Sequence, residues 1–292
     1  MSQTDSASPI NTIIIKIILH TYLKVEQHNK KDMKVTVIGA GNMGGALIKG
    51  WAKNTEIELT ITAKTDDTLN RLAQEYPQLH TCKDNAEAVK GADVIVLAVK
   101  PWLIEQVCNQ IKDSIDFDNQ IIISIAANIF ADKLREYLNC DTAKVIYVMP
   151  NIGAEFSESM TFLAPGDDIP SDVVGKIEAL LQEVGKVKRC TEEGVAGGNM
   201  LAGCGIAYIM RFIHAMMEGG VEMGLYPRDA QMIAMQAMKG AVSVLEGTGM
   251  HPAVAIDKVT TPGGLTIRGL NELDHAGFNS AVIRCLKAGL VK

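Results

Sequence analysis

At 292 residues the chain is long enough for one large or two medium domains, each with its own core. Its 47% hydrophobic and 21% charged content describes an ordinary soluble globular protein, and a net charge of -6 with no Lys/Arg cluster excludes a nucleic-acid surface. Six cysteines (Cys82, Cys108, Cys140, Cys190, Cys204 and Cys285) show no CxxC pair or metal-ligand spacing, so no metal site is expected and the thiols read as reduced, in a cytoplasmic compartment.

The first 32 residues stand apart. A polar start leads into INTIIIKIILHTYLKV and then into EQHNKKD. The apolar run contains Lys16 and is too short to span a bilayer, and neither a basic start nor a small-residue cleavage site marks a signal peptide. Residues 1–32 are therefore read as a poorly ordered extension, with Met33 opening the folded domain and no membrane partner. A membrane-surface or partner helix is the alternative.

From Lys34 onward, strand-like runs alternate with helix-like segments. VTVIGA, ELTIT, DVIVLAV, QIIISIA and KVIYVM are each short, β-rich and apolar enough for a buried strand, which predicts parallel βαβ units with helices on both faces. Met160 to Ala164 and Lys186 to Cys190 flank the helical pattern DVVGKIEALLQEVG and would extend the sheet. Beyond about Thr191 the chain becomes helical, and nine of its 14 methionines fall between Met200 and Met250. The fold class is thus α/β, a Rossmann-type dinucleotide-binding domain over 33–190 followed by an all-helical domain over 191–292. The helical part carries more apolar surface than one copy can bury, so a homo-oligomer is expected.

Gly39, Gly41 and Gly44 form GAGNMG between the strand VTVI and the helical pattern GALIKGWAK. In that setting Gly39 makes the turn, Gly41 lets the backbone approach a pyrophosphate, and Gly44 lets helix and strand pack closely. The helix N-terminus adds N–H donors and a favourable dipole. After the second strand come Ala63, Lys64 and Thr65, with no carboxylate until Asp66, which favours the 2'-phosphate of NADP(H) over NAD(H).

Nothing resembles a conventional acid–base or metal constellation. Glu218 and Glu222 lie four apart and read as an exposed helical face, and His251 beside Pro252 reads as a helix start. A site without an obvious base suits a substrate that arrives activated, such as a protonated imine. Near the C-terminus, VTTPGGLTI (Val259 to Ile267) packs hydroxyls, a proline and two glycines ahead of a helix, a plausible anion nest.

Taken together these elements resemble the pyrroline-5-carboxylate reductase family. The resemblance runs from Met33 to about Ala288 through GAGNMG, Asn85 ahead of ADVIVLAVKP, SIAA, VMPN, GVEMGL followed by PRDA, HPAV and DKVTTPGGLT. It implies that Ile38, Gly39, Ala40, Gly41, Asn42 and Met43 bind the cofactor diphosphate, and that Lys64 or Thr65 and Asn85 lie by the adenosine phosphate. It further implies that Ala98, Val99, Lys100 and Pro101, with Ile125, Ala126 and Ala127, line the nicotinamide side. Thr261, Gly263, Gly264, Leu265 and Thr266 would form the substrate loop, the glycine N–H groups holding a carboxylate and Thr266 acting catalytically at the ring nitrogen. The implied reaction is NADPH-dependent reduction of 1-pyrroline-5-carboxylate to L-proline, in a homodimer, or a higher homo-oligomer, joined through the helical domain.

The chain departs from the family pattern in places. Where relatives carry GSGPAY it has Gly203, Cys204, Gly205, Ile206, Ala207 and Tyr208, and Leu265 replaces a small or hydroxyl residue before the last threonine. Three alternatives follow: reduction of another cyclic imine carboxylate, a non-catalytic NADP-binding relative, and a β-hydroxyacid dehydrogenase. The last would want a lysine base on the long helix opening the second domain, and none stands between Lys188 and Lys239.

Overall fold

The computed structural model describes residues 33–290, so the 1–32 extension lies outside the described residues. Strand β1 (Met33–Ile38) enters the core at once, burying Val35, Val37 and Ile38. Its buried Thr36 hydroxyl donates to the Ala88 carbonyl at 2.7 Å, which meets the cost of taking a polar group out of water. Helix α1 (Asn42–Trp51) buries Ala46, Leu47, Ile48 and Trp51, and the indole N–H of Trp51 donates to the Leu180 carbonyl at 2.9 Å. The alternation continues through β2 (Ile57–Thr62), α2 (Asp66–Glu75), β3 (His80–Cys82), α3 (Asn85–Ala88), β4 (Val94–Leu97), α4 (Ile104–Ile111), β5 (Ile121–Ser124), α5 (Ala131–Leu138) and β6 (Val145–Met149). Then follow β7 (Ser159–Pro165), α6 (Ser171–Gln182) and β8 (Gly185–Arg189).

The strands form one eight-stranded sheet in the order β3-β2-β1-β4-β5-β6-β7-β8. The pairs from β3 across to β6 are parallel, with Val37 opposite Ile61 on one side and Val96 on the other. Every residue of β4 and of β5 is buried, the pattern of strands covered on both faces. On one face Ile104, Val107 and Ile111 of α4 and Leu134 and Leu138 of α5 pack against Ile95, Leu97 and Ile122. The strand order reverses between β1 and β4, and such a reversal leaves a crevice at the carboxyl ends of the strands.

The described residues divide into two compact units, the first holding 33–148, 152–159 and 165–187, the second 149–151, 160–164 and 188–290. The short pieces of the second unit have a physical reason to belong there. Phe162 lies so close to Gly198 that a Cβ there would meet its ring at 2.4 Å, and the Asn151 side-chain amide donates to the Ala202 carbonyl at 3.3 Å.

The rest of the second unit is helical: α7 (Glu192–Ala202), α8 (Gly205–Glu222), α9 (Pro227–Thr248), α10 (Pro252–Val259), α11 (Leu265–His275) and α12 (Phe278–Ala288). Gly203 and Cys204 between α7 and α8 both keep right-handed helical angles, so the chain passes through this junction without a sharp turn. Helices α8 and α9 meet through small residues, Gly220 against Ala230, while Ile209, Met223, Met232 and Val242 are each at least half exposed. These helices have little apolar surface buried within one chain.

Candidate active site

The glycine loop forms because β1 must turn sharply into α1. Gly39 takes φ 105°, a left-handed conformation that side chains resist, and its N–H donates to the Thr62 carbonyl at 3.1 Å. Gly44, in the first turn of α1, is pressed against the loop: a Cβ there would lie 2.0 Å from the Gly39 carbonyl oxygen and 2.9 Å from the Ala98 Cβ. Gly41 is the opposite case, since a Cβ built on it meets nothing within 4 Å. It caps α1 without a side-chain acceptor, and the first turn of α1 carries no carboxylate. The N–H groups of that turn are therefore directed at open space with nothing negative competing for them, which suits a diphosphate.

A cleft of about 540 Å³ opens there. It gathers Gly39 to Met43, Lys64 and Thr65, Ala98 to Pro101, and Ile125 to Ala127, residues scattered over almost 90 positions of sequence. Ile38 and Gly44 sit behind the loop as buried support and do not line it. Asn85, also expected at the cofactor, is held farther off. It opens α3, outside the cleft lining, and its side-chain amide donates to the Gln110 side-chain oxygen at 2.8 Å. Ala63, named above only for the missing carboxylate, also lines the cleft, as do Thr68 and Leu103, which no sequence motif marks. Thr68 bridges to the expected site through its hydroxyl, 3.0 Å from that of Thr65. The signal that could have found it is its place in the first turn of the helix after β2.

In the second unit, the segment Val259 to Ile267 is a turn between two helices. The Thr260 hydroxyl closes α10 by donating to the Asp257 carbonyl at 3.1 Å, and Gly263 takes φ 70°. The Gly264 N–H donates to the Thr261 carbonyl at 2.9 Å. This departs from the expected pair of glycine donors, because the tight turn occupies one of them. The N–H groups still without an intrahelical acceptor are those of the first turn of α11, at Leu265, Thr266 and Ile267. The Thr261 hydroxyl folds over Gly264, where a Cβ would come within 2.5 Å of it, and Leu265 is 85% exposed.

The other candidates have structural roles. His251 caps α10, its ring nitrogen accepting from the Ala253 N–H at 3.3 Å. Glu218 pairs with His214 at 3.5 Å on an exposed face of α8. Tyr208 is held above its ordinary pKa, first by a hydrogen bond with Cys285, and Cys204 also faces it. Among the described residues no three His, Cys, Asp or Glu side chains gather as a metal site.

A glycine loop feeding an uncapped helix, at the crevice where a parallel sheet reverses its order, belongs to the dinucleotide-fold class. Residues 192–292 match the family model described as pyrroline-5-carboxylate reductase dimerisation, and residues 34–128 match one described as NADP oxidoreductase, coenzyme F420-dependent. The pyrroline-5-carboxylate reductase of Methanosarcina acetivorans is 33% identical over 261 residues, covering 87% of this chain and 96% of that protein. The chain therefore belongs to the pyrroline-5-carboxylate reductase family. Pyrroline-5-carboxylate reductase 1 of Dictyostelium discoideum is also 33% identical over 87% of this chain, which spans 48% of that longer protein. Among solved structures, the Plasmodium falciparum pyrroline carboxylate reductase with NADP bound superposes with a TM-score of 0.80 at 25% identity, covering 89% of this chain and 96% of that one. The Coxiella burnetii enzyme gives 0.80 at 26% identity, covering 88% and 96%.

Proposed function

We propose that the chain reduces 1-pyrroline-5-carboxylate to L-proline with NADPH, the closing step of proline biosynthesis. The observation that carries this reading is the cleft: Gly41 faces open space at the N-terminus of α1, whose first turn has neither a side-chain cap nor an acidic residue. When bound, NADPH supplies the hydride that the imine carbon accepts. The protein's own task is holding. The N–H groups of the glycine loop and the start of α1 take the diphosphate, and Ala98 to Pro101 and Ile125 to Ala127 shape the wall for the nicotinamide. Lys64 favours NADPH, because an ammonium suits a 2'-phosphate where a carboxylate would suit a ribose diol; NADH is the weaker cofactor.

The second unit supplies the substrate contacts. The Gly263 N–H and the first-turn donors of α11 at Leu265 and Thr266 hold the carboxylate, with the Thr261 hydroxyl beside them. The protonated ring nitrogen donates to the Thr266 hydroxyl oxygen. A five-membered imine takes a proton readily, so its carbon is already electrophilic and positioning does most of the work.

A second copy of the chain is the macromolecular partner. The dimerisation match over residues 192–292 and the exposed apolar faces of α8 and α9 support this. Among the described residues one helical stretch, Glu192–Glu222, is long and apolar enough to cross a membrane by length and composition, and we assign that surface to subunit contact. The six free cysteines support a reducing, cytoplasmic setting.

The exposure of Leu265 at the start of α11 favours one second reading, a bulkier or six-membered cyclic imine carboxylate as the preferred substrate. The test is NADPH oxidation with pyrroline-5-carboxylate, with its six-membered homologue, and in reverse with a 3-hydroxyacid. Fastest turnover of the five-membered imine is expected. NADPH binding without turnover of any imine would leave a non-catalytic relative instead.

A further inference from the structure

Beside the glycine loop lies another cavity, of about 550 Å³, which shares Ala40, Gly41, Asn42 and Thr68 with the dinucleotide cleft and so adjoins it as a side lobe. Two cations border it, Lys49 of α1 and Arg71 of α2. Lys49 is committed: its ammonium donates to Glu155 at 2.9 Å and lies 3.9 Å from Glu75, and the Glu155 hydrogen bond holds its pKa above the ordinary value. Glu155 also borders the lobe, so those two charges offset each other there.

Arg71 is different. Its neighbours of opposite charge on the helix, Asp67 at i−4 and Glu75 at i+4, form no ion pair with it among the described residues, and Asp66 is engaged by Lys83 at 2.6 Å. Helical spacing puts Arg71 on the same face as Thr68, one turn nearer the loop, and Thr68 in turn touches Thr65. An uncommitted guanidinium thus borders a cavity that meets the cleft at Thr68, and the cleft in turn holds Lys64 and Thr65, the residues following β2 where a dinucleotide's adenosine ribose lies in this fold. The family resemblance puts Asn85 by the adenosine phosphate, yet here that side chain stands outside both cavities with its amide donating to Gln110.

We infer that Arg71 is a cofactor-specificity residue, whose guanidinium binds the phosphate monoester that distinguishes NADPH from NADH, together with Lys64 and the Thr65 and Thr68 hydroxyls. This rests on the reading of the cleft as a pyridine-nucleotide site. The diphosphate already has the glycine-loop donors. A monoester carries nearly two charges at neutral pH and calls for more than one cation, and a planar guanidinium meets it with two parallel N–H donors.

The test compares the wild-type enzyme with Arg71→Gln and Arg71→Lys, reading KM for NADPH and for NADH with pyrroline-5-carboxylate, and reading binding of both nucleotides by calorimetry without substrate. In Arg71→Gln the ratio of the NADPH constant to the NADH constant should rise about tenfold, with partial recovery in Arg71→Lys. A ratio that does not move, whether both constants rise together or neither changes, overturns the inference. If the wild-type enzyme binds nucleotide but turns over no imine, the reductase reading fails instead, and the calorimetric ratio still decides the role of Arg71. Should Arg71→Gln misfold, the ratio in Arg71→Lys decides alone.

Discussion

Thr266 occupies the second position of α11, just past a turn built by Gly263 and the Gly264 to Thr261 hydrogen bond. That placement gives it a free side-chain hydroxyl beside backbone N–H groups at a helix start, so polarity toward a cation and an anion meets at one residue. Replacing the hydroxyl by a methyl of nearly the same size should remove the hydrogen bond and keep the shape. Thr266→Val is therefore expected to lower kcat about tenfold or more while leaving the calorimetric affinity for NADPH unchanged; a collapse of cofactor affinity would show that Thr266 serves the nucleotide. Cys108 gives a second test at this scale. It is fully buried in α4, and burial pushes its thiol up to about 12. At pH 8 it should remain a protonated thiol and be the last of the six cysteines to react with an aromatic disulfide reagent, as read by peptide mapping. Early labelling of Cys108 would mean that α4 opens far more readily than its packing against the sheet implies.

At the scale of elements, helix α2 matters because it carries Thr68 and Arg71 to the cleft. Two kinds of interaction hold it: ion pairs at its two ends, Lys83–Asp66 with both side chains more than half exposed and Lys49–Glu75 at 3.9 Å, and burial of Leu69 and Leu72. An exposed pair contributes about 0–1 kcal/mol, whereas deleting a buried leucine side chain costs about 2–5 kcal/mol. Leu72→Ala should accordingly lower urea-unfolding stability by an amount in that larger range and Lys83→Ala by less than about 1 kcal/mol. Equal losses would mean that α2 is docked electrostatically. The sequence announced the long elements well: runs such as VIVL and IIIS are buried throughout and could be little else. Strand β3 is not legible in the sequence, because His80, Thr81 and Cys82 form a three-residue polar edge with no apolar period. Glycines 39, 41 and 44 were legible because each sits where a side chain would collide or where backbone must approach a ligand. Thr68 and Arg71 were not, since their closeness to the loop depends on how the turn after β2 aims α2. The commitment of the Gly264 N–H to Thr261 is likewise a matter of turn geometry that no residue pattern carries.

At the scale of the whole molecule, the second unit leaves Met232, Ile233, Met235, Val242 and Val244 of α9 at 49–60% exposure. A surface of that kind signals association, and burial of such side chains contributes about 1.5–3 kcal/mol each. Ile233→Glu should therefore lower the sedimenting mass toward that of the monomer at micromolar concentration while the first unit still binds NADPH. A variant that sediments as the wild type does would place the subunit contact away from α9. Isotope transfer reads the chemistry of the assembled enzyme itself. Pyrroline-5-carboxylate is incubated with the protein and NADPH deuterated at both C4 positions, and the product is analysed by mass spectrometry. L-proline carrying a single deuterium at C5 is the expected product. Proline without deuterium, or no proline while NADPH is bound, would contradict the proposed reaction.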